Sequence, residues 1–230
     1  MSNDDYILDV VKEFNLQIKN KNFVIDKTGV KTVEFINYNM SLDPEFPLID
    51  LGPKKTNEKY VKKELQWYLS QDLNVYPQMS DVKIWTQVCD KDGNINSNYG
   101  WCIFNEQNYN QYDFVKNELQ LNPCSRRACM IYNRPSMTKD YNKNGRSDYM
   151  CTMYVSCFIR NGKLIYNIKQ RSCDFIYGFF NDFAWHCYVY NKLQKELNCG
   201  IGVINYNIDS FHVYERHFDI IDNIVNHFNS

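Results

Sequence analysis

Residues 5 to 19 repeat apolar side chains at helical spacing, and the same periodicity returns from Asn57 to Ser70 through Val61, Leu65, Trp67, Tyr68 and Leu69. Both stretches are predicted to be amphipathic helices. A third helix is expected from Tyr109 to Leu121, closed by Asn122-Pro123. Strand signals lie between and after them. Lys31 to Met40 alternates, Ala128 to Tyr132 reads as a short buried strand, and Gly202 to Tyr214 returns as a strand after an apolar core helix from Phe183 to Leu197. The pair Asn161-Gly162, flanked by two apolar-rich runs, predicts a hairpin, because a type I′ turn needs positive φ at both central positions. No internal repeat, low-complexity tract or linker interrupts this order, so one α/β domain spanning 1–230 is expected, with helices covering a sheet.

Composition narrows the picture. At 230 residues, with 44% hydrophobic and 16% aromatic content, the chain can bury one sizeable core. A formal charge of -1 gives no global reason to expect nucleic acid as a partner, so any grip on phosphate must be local. The nine cysteines form no C-x-x-C pair and no zinc spacing, and their odd number cannot be fully paired within the chain. A reducing cytoplasm and no bound metal are therefore expected. The start, MSNDDYILDVV, carries acids instead of a basic leader, and no apolar run approaches the roughly 20 residues of a membrane span. A soluble, intracellular protein with no membrane partner is the expectation.

The hairpin also carries the candidate chemistry. With a two-residue loop and no bulge, Arg160 faces Lys163, Ile159 faces Leu164, and each outward step keeps the same sum, which sets Cys151 opposite Ser172 and beside Arg171. Directly opposed side chains lie roughly 5 Å apart at Cβ. A guanidinium at that range is expected to lower the thiol pKa and favour the nucleophilic thiolate.

The order Cys151, Asn161-Gly162-Lys163-Leu164, Gln170-Arg171-Ser172-Cys173-Asp174, Gly178, Asn181-Asp182, His212 and Tyr214 resembles the thymidylate synthase superfamily. Within it, the segments DKTGVKT (26 to 32), NSNYGW (96 to 101), NPCSRRACMIYNRPSM (122 to 137) and DYNKNGRSDYMCT (140 to 152) resemble the deoxycytidylate hydroxymethylases of bacteriophages. The likeness runs from about residue 20 to about residue 218. It implies a three-layer α/β fold with a mixed β-sheet at a homodimer interface, and 5-hydroxymethyl-deoxycytidylate made from deoxycytidylate, 5,10-methylenetetrahydrofolate and water.

The resemblance also implies roles. Cys151 would add to carbon 6 of the pyrimidine, which makes carbon 5 nucleophilic and splits a difficult alkylation into easier steps. Glu64, in KELQWYLS, matches the acid that organises water and proton transfers. Asp182 stands where thymidylate synthases carry an asparagine that pairs with uracil; read without the resemblance, Asp182 or Asn181 is a helix N-cap ahead of Phe183. A carboxylate complements cytosine, which offers an amino donor and a ring nitrogen that must gain a proton in the adduct. Arg171 and Ser172 would hold the nucleotide phosphate, with Arg126 and Arg127 reaching in from the other subunit, since guanidinium forks suit phosphate oxygens. Lys27 stands where an arginine is usual. His212 and Tyr214, on one face of a strand, match the pair that holds the sugar 3′-hydroxyl, and Trp85, Tyr99 and Asp174 match positions around base and folate.

Two departures from thymidylate synthases bear on the outcome. Thr152 follows the cysteine where those enzymes have histidine, and the chain stops at Ser230, a short helix beyond His217, where they continue into a tail over the folate. An open pocket suits water as the final nucleophile. The alternatives are a folate-dependent pyrimidine nucleotide methyltransferase and an inactive nucleotide- or RNA-binding relative.

Overall fold

The structure, a computed structural model, describes residues 2 to 229. Its elements, in chain order, are α1 (Asn3–Lys19), β1 (Val24–Ile25), β2 (Lys31–Leu42), α2 (Glu58–Ser70), α3 (Lys83–Val88), α4 (Tyr99–Phe104), α5 (Gln111–Leu121), β3 (Cys129–Ile131), α6 (Met137–Asp140), β4 (Thr152–Arg160), β5 (Lys163–Gln170), β6 (Cys173–Asp174), α7 (Phe180–Leu197), β7 (Gly200–Tyr214) and α8 (Phe218–Asn229).

Local chemistry explains the boundaries. Ser2 and Asp5 close a reciprocal capping box on α1, whose buried face carries Ile7, Val10, Val11 and Phe14. Each such side chain contributes about 2 kcal/mol of transfer free energy. Asn57 caps α2 by accepting from the Tyr60 amide at 3.1 Å. The hairpin turn has φ of 49° at Asn161 and 71° at Gly162, the left-handed pair that a type I′ turn requires.

The sheet runs β1-β2-β7-β5-β4-β3, and β6 pairs with β7 beyond the end of β5. β7 is antiparallel to β2 and parallel to β5 and β6, so the sheet is mixed. Alternation along the strands decides what each face meets. Leu164, Tyr166, Ile168 and Gln170 of β5, with Ile204, Tyr206 and Ile208 of β7, are buried on one face, the side filled by the apolar residues of α7. The opposite face is partly open and rich in amides: Asn205 bonds Asn167 and Ser41, and Asn207 bonds Asn37 and Asn39.

Register is where expectation and structure part. Pairing follows the predicted sum from Arg160↔Lys163 to Tyr154↔Lys169, then slips by one so that Thr152 faces Gln170. A bulge between Thr152 and Tyr154 inserts one residue, reverses the alternation, and turns Thr152 into the core. Cys151 therefore lies across from Arg171 and not Ser172, its carbonyl accepting from the Arg171 amide at 3.0 Å. Strand β4 begins at Thr152, so the cysteine sits just outside it.

The core helix also starts earlier than predicted. α7 begins at Phe180, preceded by a π-helical turn at Phe175–Phe179 whose amides at Ile176 and Tyr177 are capped by Asp174. Asp182 consequently lies inside the helix and caps nothing. Helices α2 and α4 meet at Gly100, where an added Cβ would stand 1.8 Å from the Tyr68 carbonyl oxygen. Backbone cannot yield as a flexible side chain would, so Gly100→Ala is expected to cost about 3 kcal/mol or more. A fall in the urea midpoint at unchanged slope would register it.

Candidate active site

The end of β4, the break between β5 and β6, and the first turn of α7 converge beside α2 and α4. Arg171 is braced against the backbone at this junction: Nε donates to the Met150 carbonyl at 2.8 Å and Nη2 to the Tyr149 carbonyl at 2.9 Å. Nη2 also lies 3.9 Å from Cys151 Sγ. The expected pairing of thiol and guanidinium is present, but its expected consequence is reversed. Burial pushes the Cys151 thiol up to about 11, more than Arg171 can offset, and Asp182 adds to the rise. At neutral pH Cys151 therefore rests as a thiol.

One carboxyl, Asp182, faces that thiol, and a second, Glu64, stands near the first. Asp182 receives the Gln170 amide on Oδ2 at 2.8 Å, and burial raises it to about 7 despite hydrogen bonds from Gln170 and Tyr99. Glu64, 5% exposed on α2, accepts from the Tyr60 hydroxyl at 2.5 Å; burial, with a smaller push from Asp182, raises it to about 8. Trp85 closes the line by donating Nε1 to the Tyr60 hydroxyl at 3.1 Å. Raised to about 7, Asp182 takes up and releases a proton around neutral pH, whereas Glu64, raised to about 8, holds one there.

Tyr99 is buried, stacked on Tyr68 at 5.2 Å, and its hydroxyl accepts from Thr152 Oγ1 at 3.1 Å. It therefore stands beside Asp182, whereas Trp85 stands beside Glu64. Asp174 is half-buried opposite His212 in the β6–β7 register, and its Oδ1 caps the π-helical turn. The rings of His212 and Tyr214 meet at 5.0 Å, edge to face.

Positive charge reaches the site from one side. Lys27 lies 5.7 Å from the centroid of the Tyr141 ring, Tyr141 packs on Tyr149 at 5.7 Å, and Arg171 lies 4.9 Å above Tyr149. Ser172 is half-buried next to Arg171. Arg126 and Arg127 are exposed elsewhere. They precede Ala128, whose carbonyl accepts from the Cys157 amide. Six residue-to-residue steps along β4 then separate Cys157 from Cys151, about 20 Å. Neither arginine reaches its own cysteine.

Sequence reasoning passed over several groups. Tyr60 carries no recognisable motif, Gln170 opens the motif Gln170-Arg171-Ser172-Cys173-Asp174 without a role assigned to it, and only the fold brings them to Glu64 and Asp182. Asn96 and Ser97 anchor the buried Asp148, three residues before Cys151, through the Ser97 amide at 2.8 Å and its hydroxyl at 2.6 Å. Asn96 in turn accepts from Arg134 and Arg146. The segment thus fixes the approach to Cys151.

Comparison with known proteins agrees with this geometry. The model of the thymidylate synthase family matches residues 8–229. Deoxycytidylate 5-hydroxymethyltransferase of Enterobacteria phage T4 is 47% identical over 215 residues, which cover 90% of this chain and 85% of that protein, and the enzyme of phage T2 matches equally. Thymidylate synthase of Francisella tularensis subsp. holarctica is 26% identical over 210 residues, 86% of this chain and 76% of that protein.

Proposed function

Because this chain belongs to the thymidylate synthase family and shares nearly half its residues with phage deoxycytidylate 5-hydroxymethyltransferases, we propose that it catalyses that reaction. Deoxycytidylate and 5,10-methylenetetrahydrofolate are its substrates, water is the final nucleophile, and residues 1–230 form one catalytic unit. The observation that carries the reading is the meeting of Cys151, Arg171 and a near-neutral Asp182 at one point.

The chain's own groups account for the first step. Cys151 adds to carbon 6 of the pyrimidine, and its proton ends on ring nitrogen 3 through Asp182, which is carboxylate before and after. One proton shared by thiol and acid is what the step needs, so a high thiol pKa and a near-neutral acid suit each other. Arg171, Ser172 and Lys27 bind the phosphate, and its docking aligns carbon 6 with Sγ. His212 and Tyr214 hold the sugar. Glu64, hydrogen-bonded to Tyr60, keeps a proton for the later transfers and orders the attacking water.

The folate supplies a one-carbon unit at the oxidation level of formaldehyde when bound. Residues present fit it: Asp174 spends Oδ1 on the turn, while Oδ2 makes no hydrogen bond among the described residues and can take an amidine-like edge of the pterin. Trp85 and Tyr99 offer aromatic walls. Release of tritium from carbon 5 of labelled nucleotide tests substrate choice: deoxycytidylate should exchange, and faster exchange from deoxyuridylate would overturn the assignment.

The remote position of Arg126 and Arg127 supports a homodimer with shared sites, formed through the amide-rich sheet face. An Arg126→Ala protein and a Cys151→Ala protein should each be nearly inactive. Random pairing after joint refolding makes about half the dimers mixed, each with one intact site of two, so roughly a quarter of wild-type activity should return. No recovery in a mixture that contains mixed dimers would mean that the arginine serves its own chain. All nine cysteines are free, which supports a reducing setting, the cytoplasm of an infected host. Among the described residues no helix is long and apolar enough to cross a membrane.

A further inference from the structure

Gln170 is fully buried and its amide serves two acceptors, Asp182 Oδ2 at 2.8 Å and Thr152 Oγ1 at 3.3 Å. Thr152 passes its own proton to the Tyr99 hydroxyl at 3.1 Å, and Tyr99 in turn hydrogen-bonds Asp182. The four groups form a closed circuit in which every donated proton points, directly or through a hydroxyl, toward one carboxylate. The circuit has a cost: Gln170 Oε1 is buried with no partner. An orphaned acceptor of this kind costs about 1–3 kcal/mol, and flipping the amide would not relieve it, since the donors would then be the orphans and an acceptor would face Asp182. The amide is held in the orientation that leaves its own oxygen unsatisfied, so its donors are what the site requires.

We propose that Gln170 is a positioning residue that holds Asp182 as an acceptor facing the amino-bearing edge of cytosine, and thereby helps to exclude uracil. The inference rests on the proposed reaction at this site. Cytosine offers a hydrogen-bond donor at carbon 4, whereas uracil offers an acceptor there. With two donors fixed on it, Asp182 keeps lone pairs for the amino group. Freed of Gln170, the carboxyl rotates and keeps its own proton more readily, and a protonated carboxyl can donate to the uracil oxygen. The same loss raises the pH at which Asp182 gives up its proton, because hydrogen bonds to the ionised form have been removed. The titratable groups facing Asp182 are Tyr60, Glu64 and Tyr68 on α2, Tyr99 on α4, Cys151 beside β4, Cys173 on β6 and Tyr206 on β7. Only Glu64 shares its range, and Glu64 makes no hydrogen bond to Gln170, so the primary displacement in a Gln170 variant falls on Asp182 and Glu64 follows only through their mutual repulsion.

The test compares Gln170→Met, which keeps length and removes both donors, with wild type. In kcat/KM for deoxycytidylate against pH, the acid limb should move up by about one unit. The preference for deoxycytidylate over deoxyuridylate should fall on the order of tenfold or more. Calorimetric titration with deoxycytidylate in two buffers of different ionisation enthalpy reads the same proton linkage through binding alone. A wild type that binds but does not turn over would therefore sink the reaction and still leave Gln170 tested. An unmoved limb and an unchanged preference, with only a lower melting temperature, would reduce Gln170 to core filling. Should Gln170→Met fail to fold, Thr152→Val opens the circuit at the next position and must shift both readouts in the same direction; no shift there overturns the proposal.

Discussion

Cys151→Ala should lose turnover of deoxycytidylate by on the order of 10⁴-fold or more, because no other group in the site can form the bond to carbon 6. Nucleotide binding should survive. Arg171 is held by the carbonyls of Met150 and Tyr149, and neither bond depends on the thiol. The free thiol, pushed up to about 11, predicts in addition that the wild-type cysteine reacts slowly with alkylating agents at neutral pH, and more slowly still once the nucleotide covers it. Tritium release from carbon 5 measures the first effect, and equilibrium binding of deoxycytidylate measures the second. Undiminished exchange in the variant would remove Cys151 from the mechanism.

Asp182→Asn should invert the choice of base. An asparagine both donates and accepts along one edge, which matches uracil, and it cannot carry the proton that cytosine needs in the adduct. Sites built to satisfy one polar edge reject the mismatched one by about 10⁴-fold at best, since the buried partners are left unpaired. A change of 10²-fold to 10⁴-fold in the ratio of kcat/KM for deoxycytidylate over deoxyuridylate is the expected range. The fold should not suffer. A carboxyl raised to about 7 by burial is a destabilising group above its unfolded pKa: the native state binds the extra proton, so stability falls as pH rises from about 4 through 7. The amide lacks that penalty, and the melting temperature of Asp182→Asn relative to wild type should rise as pH goes from 5 to 8. An unchanged base preference would leave Asp182 as a first-turn helical acid.

Legibility from sequence tracked how local each feature is. Apolar periodicity, with Asn122-Pro123 as the stop of the third, marks α1, α2 and α5 within a few residues, and Asn161-Gly162 places the hairpin turn correctly. The bulge between Thr152 and Tyr154 has no glycine to announce it, so counting outward from the turn ended one residue off at Cys151. The π-helical turn was hidden in the same way, because Phe175 to Phe180 is uniformly apolar and its cap, Asp174, had been read only as a ligand. Resemblance brought Glu64, Asp182, Arg171 and Cys151 together, and the fold does join them. What it did not convey is electrostatic balance. A cysteine beside an arginine suggests a thiolate, but the sum of burial and a facing carboxyl runs the other way, and that sum exists only in three dimensions. The roles of Gln170, visible only as the first residue of its motif, and of Tyr60 escape the sequence for a related reason, since they lie entirely in what the two side chains touch.

The central claim is that the chain ends its reaction with water and not with hydride. Incubation with deoxycytidylate and 5,10-methylenetetrahydrofolate in water enriched in heavy oxygen, followed by mass analysis of both products, tests it directly. The account predicts 5-hydroxymethyl-deoxycytidylate carrying the heavy oxygen, with tetrahydrofolate released in equal amount. A 5-methyl nucleotide formed in step with dihydrofolate would contradict it.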